Sequence, residues 1–144
     1  MAEFIVKGVE ELRTAFKNFV FDMDKGIDGA VRITAFKVQA TATLAIREPS
    51  NSGNFVKRGK TVMHEISKEG DSPNTDTGRL IGSIQVDHKK GRQIAFVGTD
   101  LDYGLFLETT HNRPWLEPAK IKEIGFFSDN VALAMDSQIK KAGK

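Results

Sequence analysis

The side chains best suited to proton transfer or metal ligation near neutral pH are three histidines, His64, His88 and His111. No two of them stand at helical ligand spacing, and neither His-Glu-x-x-His nor His-x-His occurs. They fall in three different loops or strand ends and read as exposed loop residues. The glycines form no Gly-x-Gly-x-x-Gly or Gly-x4-Gly-Lys-Ser/Thr run after a strand, so no phosphate cradle is implied. No serine sits in a Gly-x-Ser-x-Gly elbow. Cysteine is absent, which excludes disulfides and thiolate zinc sites. One polar constellation stands out, Glu108 with Tyr103 and Arg113. It reads as a helix-end ion pair between Glu108 and Arg113 rather than a catalytic carboxylate, because structural ion pairs far outnumber catalytic ones. The expectation is a protein that is not an enzyme, with no catalytic residue, no metal and no cofactor.

Charge narrows the partners. Lys and Arg number 21 against 19 Asp and Glu, a net charge of only +2 and no broad nucleic-acid footprint. Basic residues gather at two expected hairpin turns, Lys57-Arg58-Lys60 and Lys89-Lys90-Arg92. Phe55 lies near the first, but no set of interleaved aromatics offers a stacking platform. Contact with nucleic acid and contact with an acidic face of a neighbouring protein both stay open. No apolar run reaches the ~18–20 residues that span a bilayer, and Met1–Lys7 lacks the basic and apolar regions of a signal peptide. No membrane role is expected, and the protein is expected to be made and used in the cytosol, or assembled there.

The elements follow from periodicity. Phe4-Ile5-Val6 is a short β-prone run. From Val9 the apolar residues recur in threes and fours: Leu12, Phe16, Phe19, Val20, Met23, Ile27, Val31, Val38, Ala42. That is one helix face, roughly 60 Å long if unbroken to Arg47. Gly26 and Gly29 are expected to bend or break it, and Pro49 to stop it. So long a helix predicts packing beyond its own core. Residues 54–76 read as an arm, with a hairpin around Arg58-Gly59. Phe55, Val56, Lys57, Arg58, Lys60, Val62 and Met63 are its candidate inter-subunit residues. A second hairpin turns at Lys89-Lys90-Gly91, with Ile84, Val86 and His88 on one strand and Ile94 and Phe96 inward on the other. Asp100 or Asp102 is expected to cap a short helix. A last helix begins near Pro118 and presents Ile121, Ile124, Phe127, Val131, Met135 and Ile139. The fold class is α+β in a single domain, 1–144. A small antiparallel sheet is packed by the long N-terminal helix and the C-terminal helix, with an extended arm at 54–76.

Four segments, taken in order, resemble the small tail-completion (head–tail joining, or neck) protein family of tailed bacteriophages and prophages. They are Gly8-Val9-Glu10-Glu11-Leu12; Gly70-Asp71-Ser72-Pro73 through Thr77-Gly78-Arg79-Leu80 to Ser83-Ile84; Val97-Gly98-Thr99 with Tyr103 and Phe106-Leu107-Glu108; and Arg113-Pro114-Trp115-Leu116-Glu117-Pro118-Ala119. The family usually shows Arg-Pro-aromatic-Leu-x-Pro-Ala at the fourth. The chain departs at Glu108-Thr109-Thr110-His111, where the family has Glu-Phe-Gly-Thr or Glu-Tyr-Gly-Thr. The resemblance implies a structural virion subunit of the head–tail junction that does no chemistry. It implies a homo-oligomer, usually a hexameric ring, between head-connector or stopper proteins and tail terminator or tube proteins, with DNA passing through the lumen. A tail terminator or minor tail component is the adjacent reading, and a small basic DNA-binding protein the one from another class. The motif residues are expected to serve the scaffold: Gly78 and Gly98 at turns, Thr77 starting a helical turn, Pro114 and Pro118 fixing the entry to the last helix, Trp115 and Leu116 anchoring the core.

Overall fold

Residues 8–143 are described by a computed structural model; the Phe4-Ile5-Val6 run lies outside them. The first element, α1, spans Val9–Arg47 without interruption. Gly8 precedes it in the left-handed region (φ 90°), and Glu48 closes it in an extended conformation (φ −77°, ψ 114°). That extension is what Pro49 imposes on the residue before it. The expected break at Gly26 and Gly29 does not occur. Instead, a Cβ built on Gly26 would lie 3.0 Å from the Ala134 Cβ. Ala134 belongs to the last helix, α4 (Glu117–Ala142), which packs along α1. Gly26 is therefore a point of close approach between the two long helices.

Between these helices the chain forms two antiparallel hairpins rather than one sheet. β1 (Phe55–Arg58) pairs with β2 (Val62–Glu65), and β3 (Gln85–Lys89) with β4 (Ile94–Gly98). A short α2 (Arg79–Ser83) precedes β3, and α3 (Asp102–Thr109) follows β4. The α+β architecture, with helices at both ends of the chain, is as the sequence implies. The second hairpin lies on α1. Its register sets Val86 opposite Val97 and His88 opposite Ala95, and these four are half-buried, as is Gly98 at the end of β4. Ile94 and Phe96 pair with Lys89 and Asp87 on the outer face, 46% and 60% exposed. Their expected inward direction is thus reversed, because strand alternation lets only one set face α1.

The last helix also turns a different face inward. Ala119 and Glu123 are buried, and Ala134 meets Gly26. Ile121, Ile124, Met135 and Ile139 of the expected apolar face are exposed; only Phe127 and Val131 of that set are half-buried. Small residues let the backbones approach, and Glu123 finds polar partners on α1. Its Oε1 accepts from the Thr41 hydroxyl at 2.7 Å, and its Oε2 lies 3.5 Å from the Lys37 ammonium. The Thr41 hydrogen bond, with Lys37 helping against burial, holds the Glu123 carboxyl below its usual range. Lys37 in turn sits 3.6 Å over the Phe126 ring.

The core lies at one end of the molecule. Val38, Ala42 and Ile46 of α1 meet Leu80, Ile84, Trp115 and Ala119 there. The Trp115 indole donates to the Gly104 carbonyl at 3.1 Å. Gly104 has no room for more: a Cβ would come within 2.6 Å of the Thr99 methyl and 3.2 Å of Leu80 Cδ1. Neither Asp100 nor Asp102 caps α3. Its N-cap position is Leu101, whose N–H is taken by the Thr99 hydroxyl at 3.1 Å. Gly78 adopts φ 74° at the start of α2, as a glycine at a turn should. Gly98 does not; it closes β4 opposite Gln85 and is absent from the positive-φ residues.

Candidate assembly surfaces and a basic cleft

The motif residues divide into those that brace the core and those that surround a cleft. Glu108 is the principal brace. Its carboxylate accepts from the backbone N–H groups of Trp115 (2.8 Å), Leu116 (3.1 Å) and Glu117 (2.9 Å). These are the orphan donors at the entry to α4, and a carboxylate there also favours the positive end of the helix dipole. The expected Glu108–Arg113 ion pair is therefore not made. Arg113 instead directs Nε and one Nη to the Ser67 carbonyl, both at 3.3 Å. Ser83 and Thr99 hydrogen-bond to each other through their hydroxyls. The Thr77 hydroxyl lies 3.4 Å from the Arg79 N–H at the start of α2. Pro114 offers its carbonyl to Ser72 at 3.0 Å, and Pro118 occupies the first turn of α4. After α3 the chain reverses at Asn112, which takes φ 47°; asparagine tolerates that region better than most residues.

Thr77, Gly78, Arg79, Leu80, Tyr103 and Arg113 also line one cleft of about 600 Å³, together with Arg58 from the first hairpin. Periodicity gave no sign of this cleft, because its residues come from four separate segments. Arg58 is ion-paired to Asp76, and His64 Nδ1 lies 3.8 Å from the same carboxylate. His64 and His88 are thus not exposed loop histidines. Each is a strand residue with a largely buried ring facing an aspartate. The reason is strand alternation, which turns both toward the body of the protein. His88 Nε2 lies 3.1 Å from Asp28 Oδ1, and that same oxygen accepts the Gln93 N–H at 3.2 Å. Burial pushes the Asp28 carboxyl up, but N–H donors from Gly91 and Gln93 and the His88 ring outweigh it and leave it below its usual range. His111 is exposed, beside Phe106.

Ser67, His64 and Asp76 share the cleft, but they make no nucleophilic relay. The Ser67 Oγ is buried and has no hydrogen-bond partner among the described residues, so His64 does not activate it. Among those residues no group of three or more acidic or histidine side chains could hold a metal ion.

The first hairpin projects. Its register puts Val56, Arg58, Val62 and His64 on one face and Phe55, Lys57, Met63 and Glu65 on the other. Phe55, Val56, Val62 and Met63 are all exposed, so both faces carry unpartnered apolar side chains. The projection ends near residue 65, earlier than the sequence suggests. From there the chain is pinned to the body: Asn74 bonds Ser50 and the Glu65 carbonyl, Thr75 bonds the Ile46 carbonyl, and Gly70 bonds the Asn112 carbonyl. A second apolar surface runs along the start of α1, where Val9, Leu12, Phe16 and Val20 form an exposed stripe.

No family model matches the chain, and no solved structure matches it. Among curated proteins, the transcriptional activator AggR of Escherichia coli is 25% identical over 143 residues, covering 92% of this chain and 52% of that protein. The chain spans about half the length of that relative. No helix among the described residues is long and apolar enough to cross a membrane.

Proposed function

We propose that this chain is a structural subunit of the head–tail junction of a tailed bacteriophage, a tail-completion protein that works by assembly and not by catalysis. The observation that carries this reading is the unmatched apolar surface. Large apolar side chains stand exposed in groups among the described residues, Leu12 and Phe16 at 69% and 66% and Val62 and Met63 at 59% and 57%, and contiguous exposed apolar patches mark interaction sites. They lie on the projecting hairpin, the start of α1 and the outer faces of β4 and α4. These surfaces suit a ring of identical subunits held between connector and tail proteins, with DNA passing through the lumen. The motif resemblance supplies the viral setting, the virion neck.

Deleting the gene from its parent phage and imaging the lysate by negative-stain electron microscopy tests the reading. DNA-filled heads beside finished, unattached tails are expected. Tails of abnormal length would make the protein a tail terminator instead, and normal infectious particles would overturn a role in the junction. A second reading, a small DNA-binding protein, is favoured by Lys90 and Arg92 at the β3–β4 turn, which make no ion pair among the described residues. The name of the AggR relative points the same way. Affinity of the purified protein for plain duplex DNA that falls steeply with salt would favour it.

A further inference from the structure

The cleft framed by the foot of the first hairpin, the 66–78 loop, α2 and α3 has a composition of its own. Arg58, Arg79 and Arg113 face it against one carboxylate, Asp76, and Arg58 already occupies that carboxylate. Arg79 is exposed and makes no ion pair or side-chain hydrogen bond among the described residues. Arg113 spends Nε and one Nη on the Ser67 carbonyl, which leaves donors of its fork uncommitted. Ser67 itself is 3% exposed, and its Oγ is a buried hydroxyl with no hydrogen-bond partner among the described residues. Such a group costs free energy unless something completes it. One side of the wall is apolar, built from Ile46, Leu80, Leu107 and the Tyr103 ring, and His64, Asn74, Thr75 and Thr77 add polar groups to the rest.

We propose that this cleft receives an extended acidic segment of a neighbouring protein, one that sets a carboxylate against Arg79 and Arg113 and an adjacent aliphatic side chain against Leu80 and Leu107. The assignment rests on the assembly reading for its setting. Guanidinium forks match carboxylates in geometry and charge. A bare phosphate or a nucleic-acid backbone would satisfy the arginines but leave the apolar wall unused. A peptide uses both. About 600 Å³ is ample for a few side chains. The position also fits, because the cleft opens at the foot of the projecting hairpin, so a partner held by the hairpin would pass its mouth.

Nuclear magnetic resonance on the full-length, 15N-labelled protein tests this. The probes are a capped hexapeptide, Gly-Asp-Leu-Glu-Leu-Gly, its Asn/Gln counterpart, and inorganic phosphate. The acidic peptide is expected to give saturable shifts at Ser67, Gly78, Arg79 and Leu107, and the neutral peptide to bind at least tenfold more weakly. R79E is expected to weaken the acidic peptide at least tenfold and R79Q by less, with both spectra otherwise those of the folded protein. Equal binding of the two peptides, shifts confined to other surfaces, or an R79E variant that binds as well as the parent would overturn the assignment. So would saturation by phosphate without response to the acidic peptide. Such a failure is separable from failure of the assembly reading: if particles lacking the gene still show unattached heads and tails, only the role of the cleft falls.

Discussion

The two ends of α1 obey the same periodicity and have opposite fates. From Val38 to Ile46 the residues that recur in fours, Val38, Ala42 and Ile46, are buried, and they carry the core with Leu80, Ile84 and Trp115. From Val9 to Val20 an equally regular stripe, Val9, Leu12, Phe16 and Val20, stays exposed. Spacing alone states that a face is apolar; what covers the face is a separate matter. The covered half is built largely from small residues, Ala30, Ala35 and Ala42, together with Val38 and Ile46. Those let β3, β4 and α4 approach closely. The uncovered half carries larger side chains, two of them phenylalanines in contact, Phe16 and Phe19, with ring centroids 6.3 Å apart. One half of the helix holds the monomer together, and in the reading proposed above the other half waits for a neighbour.

Breaking the covered half should cost most. Trp115→Ala removes the largest side chain of the core and its hydrogen bond to Gly104, and should destabilise by about 3–5 kcal/mol. That is a large part of the ~5–15 kcal/mol that holds a typical domain, and urea unfolding followed by tryptophan-independent circular dichroism measures it. Gly104→Ala comes next. The new methyl would press on Thr99 and Leu80 and should cost about 1–3 kcal/mol. A change smaller than a few tenths would mean that α3 can shift and that the core is less tightly fixed than the covered half of α1 suggests.

Glu108→Ala should cost about 1–2 kcal/mol, by exposing three backbone donors at the start of α4. Removing Arg113 as well should then give the sum of the two single effects. Strong coupling in that double-mutant cycle would restore the ion pair that the structure does not show. A smaller effect belongs to Asp28, which ties the second hairpin to α1. Its carboxyl is held below the usual value in the folded state, so its contribution is present above the unfolded pKa and is lost as pH falls through the folded one. The melting temperature of the parent should therefore drop more than that of Asp28→Asn between pH 6 and pH 3. Parallel curves would remove Asp28 as the fastening point.

The fold class, the bounds of both long helices and both hairpin turns were legible, because apolar periodicity, Pro49, Gly59 and Gly91 act locally. What failed was direction. The outward turn of Ile94 and Phe96 depends on which strand face α1 covers, and the inward turn of Glu123 depends on Thr41 and Lys37, 82 and 86 positions away. A buried glutamate on a line with alanines looks polar and solvent-facing until its partners are known. The same holds for Glu108, whose partners are main-chain N–H groups that carry no sequence signal. The cleft itself was hidden, since Arg58, Arg79, Tyr103 and Arg113 meet only after four segments fold together.

The smallest effect on the monomer is expected where the effect on assembly should be largest. Phe16→Ser removes an exposed ring from α1 and should change monomer stability by no more than about 0.5 kcal/mol, as surface substitutions do. Val38→Ala, on the covered half of the same helix, should cost at least twice that. If the proposed head–tail role holds, Phe16→Ser introduced into the parent phage should reduce joined particles while leaving soluble protein levels unchanged. Deleting residues 54–65 should act in the same way, since the pinned chain from 66 onward is retained. If Phe16→Ser instead lowers monomer stability as much as Val38→Ala, the start of α1 has a partner within its own chain, and the contrast between the two halves of the helix disappears.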